Sequence, residues 1–243
     1  MGMSESNNNN SNNNNQYNII ETKEKEDELV LQEHNFLDSS DGRSAIPVNL
    51  IIETMKSICK VTVKNNGKII LGTGFFMKVS NNKRYLVTNY TIISEEINKD
   101  DIEIELHNQK IFKLNFNEFK YFPKSTNITL IEIKTTDEIY KDIKFLYYDL
   151  DNNIDYEIYK NQYVFSILYF YGKSALCSTG QIIDINDFKL KHNIVTGMGA
   201  GGCPIILLNN DTKYAKVIGI HHSKYKDTCI NFGTLIGKVF NDK

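Results

Sequence analysis

Residues 197–205 read "GMGAGGCPI" and run straight into Ile206, Leu207 and Leu208. Four glycines fall within positions 197–202. Such a stretch gives a tight turn with few side chains, to which other backbone can approach closely. Pro204 to Leu208 is then short and apolar enough for a buried strand. Glycine-rich loops are common in β-proteins, so this one takes its meaning from what surrounds it.

Upstream, from Ile46 onward, the texture is β throughout. "SICKVTVK" (57–64) alternates with period two, "NNGK" supplies a turn, and "IILGTGFFMKV" (69–79) follows as a second strand. "SNNK" is the next turn and "RYLVTNYTII" (84–93) the third strand. Asn/Gly turns between apolar runs predict hairpins. "DIEIELHN", "KIFKLNF", "NITLIEIK", "IKFLYYDL", "YVFSILYFYG", "STGQIIDI", "CPIILL", "KVIGIHHS" and "FGTLIGKVF" continue the series. About a dozen short strands with regular turn signals predict an all-β sandwich or barrel pair. Helical spacing is confined to "SAIPVNLIIETMKS" (44–57), a short leading helix.

The first 45 residues differ. Asn7–Asn10 and Asn12–Asn15 form a low-complexity tract with nothing to bury, expected to be a disordered Asn-rich tail. The acidic stretch after it carries Leu29, Val30, Leu31 and Phe36; it forms either a short docking helix or, more simply, linker. Residues 1–45 hold nine acidic and three basic side chains, whereas the 243-residue chain has a net charge of -2. The remaining surplus is too small for a phosphate-gripping face, and no nucleic-acid partner is expected. No stretch approaches the ~20 apolar residues that span a bilayer, and the N-terminus has no apolar core of a secretory signal. Cys59, Cys177, Cys203 and Cys229 lack paired spacing, so free thiols and a cytoplasmic location are expected.

Four segments, in order, resemble the trypsin-like serine proteases of the chymotrypsin fold (the PA clan) over about residues 55–240. "GTGFFMKVSNNKRYLVTNYTIIS" resembles the family's G-[ST]-G-F…LVTNxHVI segment, which presents the catalytic histidine. "NITLIEIK" resembles the D-[IL]-[AT]-L-[IL] strand that supplies the aspartate. "GMGAGGCPIILLNN" resembles the nucleophile loop, G-x-S-G-x-P or, in viral cysteine enzymes, G-x-C-G-G. "KVIGIHHSKYKDTCINFGTLI" resembles the strands that wall the primary specificity pocket. The resemblance implies a double six-stranded β-barrel over 46–243, the N-terminal barrel at about 46–138 and the C-terminal one at about 139–243.

Transferred residue by residue, the resemblance puts Thr91 at the histidine position, Asn127 at the aspartate position and Gly201 at the nucleophile position. The mechanism needs a nucleophile, a base within hydrogen-bond reach and a third group orienting the base. Thr91 accepts no proton near neutral pH, and Gly201 has no side chain. An oxyanion hole alone leaves ~10³–10⁴-fold catalysis over water, below the ~10⁶-fold or more usual for enzymes. The implied protein is a pseudoprotease.

The family's oxyanion hole uses backbone N–H groups, here those of Gly199 and Gly201, and backbone donors survive side-chain loss. "GIHH" (219–222) resembles the G-x-H element of picornavirus-like cysteine proteases, which places Gly219 and His221 at the specificity pocket. There His221 would read a polar side chain; the plainer alternative is a histidine bonded to a nearby backbone carbonyl. His34, His107 and His192 read as surface or loop positions. Cys203 is the alternative nucleophile, with His221 or His222 as base; the family pattern points its side chain into the barrel, where a cysteine acts as a small hydrophobe. Adjacent His221 and His222 point to opposite strand faces, and no C-x₂-C spacing supports zinc, so neither metal nor cofactor is expected. The family binds substrate as an added strand, so the expected partner is a peptide or protein held in the former cleft, without membrane association.

Overall fold

The leading segment sets the pattern of close packing seen throughout. Pro47 precedes helix α1 (Val48–Met55), and its carbonyl accepts from the N–H groups of Leu50 and Ile51 at 3.0 and 3.3 Å. Leu50, Ile51 and Met55 face the protein body while Val48 and Ile52 stay exposed. The computed structural model describes residues 45–65, 67–79, 83–113, 119–122, 124–148, 155–208, 215–224 and 228–241. The expected Asn-rich tail, the acidic stretch and His34 lie outside the described residues.

Strands β1 (Ile58–Asn65) and β2 (Lys68–Lys78) form the first hairpin, closing from Ile58↔Phe75 to Asn65↔Lys68. Alternation in β1 sends Cys59, Val61 and Val63 inward at 0 % exposure, leaving Lys60 and Lys64 outside. These lysines meet Glu105 and Glu103 of β4 (Ile102–Leu106), whose Ile102, Ile104 and Leu106 complete the same interior. With β3 (Arg84–Thr88), β5 (Ile111–Lys113), β6 (Phe119–Tyr121) and β7 (Thr129–Glu132), the first barrel runs in the order β5-β4-β1-β2-β3-β7-β6. It therefore has seven short strands among the described residues, against an expected six.

The second barrel is a closed ring of six: β9 (Tyr163–Tyr169), β10 (Ala175–Asn186), β11 (Lys189–His192), β14 (Asn231–Leu235), β13 (Lys216–Lys224) and β12 (Pro204–Leu207), the last pairing back on β9. Closure leaves no free edge within this ring of six. Its interior holds Val164, Ile182, Leu190, Ile205, Ile218 and Leu235.

Between the barrels lies a further core, in which Phe75, Met77, Val87 and Leu130 of the first barrel meet Phe165, Ile167, Ile206 and Ile220 of the second. Burial of an aromatic such as Phe75 or Phe165 contributes ~1.5–3 kcal/mol. The connecting strand β8 (Leu146–Tyr148) adds backbone to this junction. It runs parallel to β2 through Met77↔Leu146 and Lys78↔Tyr147, and parallel to β13 through Lys216↔Tyr147 and Val217↔Tyr148. One continuous 14-stranded sheet results.

Three local expectations are corrected. The strand predicted over 84–93 ends at Thr88, because the Asn89 carbonyl accepts from Ile92 and Ile93 N–H, both at 3.0 Å, and turns the chain. "FGTLIGKVF" remains extended only to Leu235 and continues as helix α2 (Ile236–Asn241), whose Ile236 and Val239 pack on the inter-barrel core. Strands β6 and β11 lie in segments for which no strand is predicted.

Candidate functional site

Three loops meet where the barrels abut: 89–93 after β3, 126–128 before β7, and 197–203 before β12. Thr91 is exposed in the first loop, with its backbone N–H donating to Oδ1 of Asn127 at 3.0 Å. The Asn127 carbonyl also accepts from Tyr90 N–H at 3.3 Å. Asn127 has φ 51°, a left-handed conformation that Asn tolerates better than most residues.

The glycine loop is shaped by two left-handed positions, Gly199 (φ 87°) and Gly202 (φ 85°). A Cβ on Gly199 would lie 2.3 Å from the Tyr169 carbonyl oxygen, and one on Gly202 2.2 Å from that of Thr73. Gly201 is different. A Cβ there would meet Asn89 Nδ2 at 3.3 Å, with Ile92 and the His222 carbonyl at 3.6 Å, so a small side chain fits. Thus Thr91 and Asn127 are bonded to one another, and Gly201 faces the neighbours of Thr91. None of these three residues has a side chain that is a general base near neutral pH or a carboxylate, and Thr91 brings only a hydroxyl.

Two residues missed in the sequence reading hold the site together. Thr73 of β2 gives its N–H to the Gly201 carbonyl at 2.8 Å and its hydroxyl to the Gly199 carbonyl at 2.8 Å. The same hydroxyl accepts from Tyr169 N–H at 3.1 Å, while the Thr73 carbonyl accepts from the Thr88 hydroxyl at 2.9 Å. Asn89, 1 % exposed, donates from Nδ2 to the His221 carbonyl at 3.0 Å and so joins the first barrel to β13. The only signal for either lay in "GTGF" and "LVTN", where they read as ordinary motif letters. With the loop carbonyls engaged, the N–H groups of Gly199 and Gly201 donate to no protein acceptor among the described residues.

No family model matches the chain, and no curated protein matches it by sequence. Solved structures do match. A serine endoprotease from Yersinia pestis superposes with a TM-score of 0.61 at 15% identity, covering 81% of this chain and 65% of that one. The active form of the Rv3671c protease from M. tuberculosis gives 0.59 at 16% identity, covering 79% of this chain and 81% of that one. Its inactive form gives 0.56 at 15% identity, covering 79% and 89%. The fold is that of the trypsin-like serine proteases. The chain spans about two thirds, 65%, of the length of the Yersinia enzyme it matches.

Within this trypsin-like fold, Cys203 is 0 % exposed and packs with Leu168, Ala200 and Phe170. Burial pushes its thiol up to about 12, a rise only partly offset by the Ser166 hydroxyl beside it. Thiolate, the reactive form, is therefore scarce near neutral pH. The sulfur is buried with Leu168, Ala200 and Phe170 in a small cluster separate from the second barrel's interior.

His192 is a correction. Expected at the surface, it is 0 % exposed, because alternation along β11 turns Leu190 and His192 inward. Its Nε2 lies 3.1 Å from Nδ1 of His221, itself 3 % exposed, and the rings meet edge to face at 77°. His221 thus has an imidazole partner, which neither sequence reading anticipated. Desolvation keeps all three histidines neutral: His192 is lowered to about 3, His222 to about 4, and His221 well below its ordinary value, the last also by its two neighbours. Gly219 lies in the barrel interior, where a Cβ would strike Leu190 at 2.6 Å and the Thr234 carbonyl at 2.8 Å; it allows close strand packing. Among the described residues, no three His, Cys, Asp or Glu side chains converge as a metal site, and no helix is long and apolar enough to cross a membrane.

The approach to the glycine loop is apolar and open. Val195 is 74 % and Met198 63 % exposed, and Tyr171, whose N–H donates to the Met198 carbonyl at 2.7 Å, stands beside them.

Proposed function

We propose that this chain is a catalytically inactive protein of the trypsin-like fold that binds a peptide or protein through the groove where such proteases hold substrate. The observation carrying this reading is Gly201. The carbonyls of the loop around it are tied by hydrogen bonds, yet the position that matches the nucleophile bears no side chain. Thr91 and Asn127 complete the loss, since neither moves a proton at neutral pH.

Binding capacity rests on different groups. The Gly199 and Gly201 N–H donors suit a carbonyl or carboxylate oxygen. Exposed Val195 and Met198 offer apolar contact beside them. An extended peptide would use main-chain hydrogen bonds for affinity and His221 with its neighbours for selectivity. The alternative, an endopeptidase with Cys203 as displaced nucleophile, has burial and the raised thiol against it. Four unpaired cysteines support action in a reducing, cytoplasmic compartment.

The test presents a diverse peptide library to the full chain and scores retention and cleavage together. Retention without cleavage, weakened tenfold or more by Met198→Glu or Val195→Glu, is the expected result. Turnover abolished by Cys203→Ala would replace the proposal with the endopeptidase reading, and a library neither held nor cut would overturn it.

A further inference from the structure

On a part of the surface that includes none of the peptide-groove residues, a cavity of ≈ 690 Å³ opens between α1, the adjoining ends of β2 and β3, and segment 140–147. That volume is within the ~300–1,000 Å³ usual for small-molecule sites. We infer that it binds a phosphate-bearing small molecule with an aromatic body, the chemical class of a nucleotide.

Charge is the first argument. Lys78, Arg84, Lys141 and Lys144 line the cavity, against one carboxylate, Glu53, which is hydrogen-bonded to Lys56. Among the described residues, Lys78 and Lys141 have no ion-pair partner, while Lys144 acts electrostatically on the Glu53 carboxylate. Arg84 lies against two rings of the lining, 5.4 Å from the centroid of Tyr140 and 5.7 Å from that of Phe145. Such stacking orients a guanidinium, the planar group best matched to phosphate oxygens.

An orphan hydroxyl is the second, independent observation. Thr54 lines the cavity at 1 % exposure, and its Oγ1 is buried with no hydrogen-bond partner. Buried polar groups are nearly always satisfied, so this hydroxyl marks incomplete hydrogen bonding in the wall of the cavity. Ser57, equally buried, lies beside it in the lining. The aromatic part of the ligand is assigned to Tyr147, a lining residue 48 % exposed, together with Leu50. Aromatic rings and cations lining one open cavity suit a flat ring carrying phosphates.

Calorimetric titration of the full chain with ATP at low salt tests the inference, with tripolyphosphate as the second probe. Saturable ATP binding is expected, weakened about tenfold or more by Lys141→Ala/Lys144→Ala, as loss of charge-assisted contacts implies. Thr54→Val should weaken it further, and Lys68→Ala, at the opposite end of β2, should leave it unchanged. Absence of saturable binding, or equal affinity in the double-lysine variant, would overturn the site. Tripolyphosphate binding as tightly as ATP would overturn the aromatic assignment. The lysines are on the surface, so the double variant stays informative if Thr54→Val folds poorly.

Discussion

The backbone N–H of Thr91 donates to Asn127 Oδ1 at 3.0 Å, so the loop after β3 and the loop before β7 are joined through a side chain. The bond serves architecture. Asn127→Ala removes the acceptor and leaves a non-glycine residue at φ 51°, for an expected loss of ~1–2 kcal/mol. Asn127→Asp keeps both the acceptor and the tolerated conformation and should cost much less. Denaturant unfolding of the two variants checks this, and equal losses would refute the role given to Oδ1.

Thr73 is the tie between β2 and the glycine loop. Thr73→Val keeps the shape but strands the Gly199 carbonyl and the Tyr169 N–H, each bonded to the lost hydroxyl. Unsatisfied buried groups cost ~1–3 kcal/mol each. A fall in stability of several kcal/mol is expected, with loss of peptide retention in whatever fraction remains folded. A variant as stable as wild type would show that the loop is held by other means.

Neighbouring glycines should respond in opposite ways. Gly201→Ser places its Cβ 3.3 Å from the Asn89 side chain and needs little adjustment, so the variant should fold normally and remain without turnover. Gly202→Ala drives a Cβ to 2.2 Å from the Thr73 carbonyl at φ 85°, and a loss above ~3 kcal/mol is expected. Melting temperatures measured side by side separate the two cases.

Acid should destabilise the fold in a defined window. His192, His221 and His222 are neutral in the folded protein, with values lowered by burial to about 3, well below ordinary, and about 4. The unfolded chain takes up these protons near pH 6.5, so it binds more protons than the native state below that point. The stability they contribute is therefore full above pH 6.5 and is lost as pH falls toward 4, by up to ~1.4 kcal/mol per pH unit for each histidine. The paired carboxylates Glu95 and Asp184 are lowered from ordinary values near 4, so they act in a lower range. A melting temperature independent of pH from 7 to 4.5 would contradict the buried neutral trio, and His192→Asn should flatten the slope.

Thiol chemistry gives a simpler check. Cys177 and Cys229 are exposed, while Cys59 and Cys203 are buried with thiols raised by desolvation. Native protein should react with a small alkylating reagent promptly at Cys229, more slowly at Cys177, whose thiol is also raised by partial burial, and at all four thiols after unfolding. Rapid native labelling of Cys203 would reopen its candidacy as a nucleophile.

Much of this architecture was readable from letters. Period-two alternation in "CKVTV" and "IEIEL" announced which faces of β1 and β4 are buried, and four motifs in order located the loops of the site. The failures share one cause, which is tertiary override of local pattern. "IGKVF" has strand propensity, yet it folds as a helix because Ile236 and Val239 reach the inter-barrel core that way. "NYTII" is β-branched, but backbone bonds to Asn89 turn it. His192 carried no signal of burial, since its facing depends on the register His192↔Asn231 with β14. Thr73 and Asn89 contribute through partners 126 and 132 residues away, separations that single-sequence pattern does not report.

Strand β8 has a mechanical consequence. Its three residues form a shared stave, laddered to β2 on one side and to β13 on the other. A jaw needs a compliant joint between its halves; here the joint is itself a piece of sheet. The two walls of the groove are thus expected to move as one body, so a partner must arrive already shaped to fit, and tension applied to one barrel will be carried into the other.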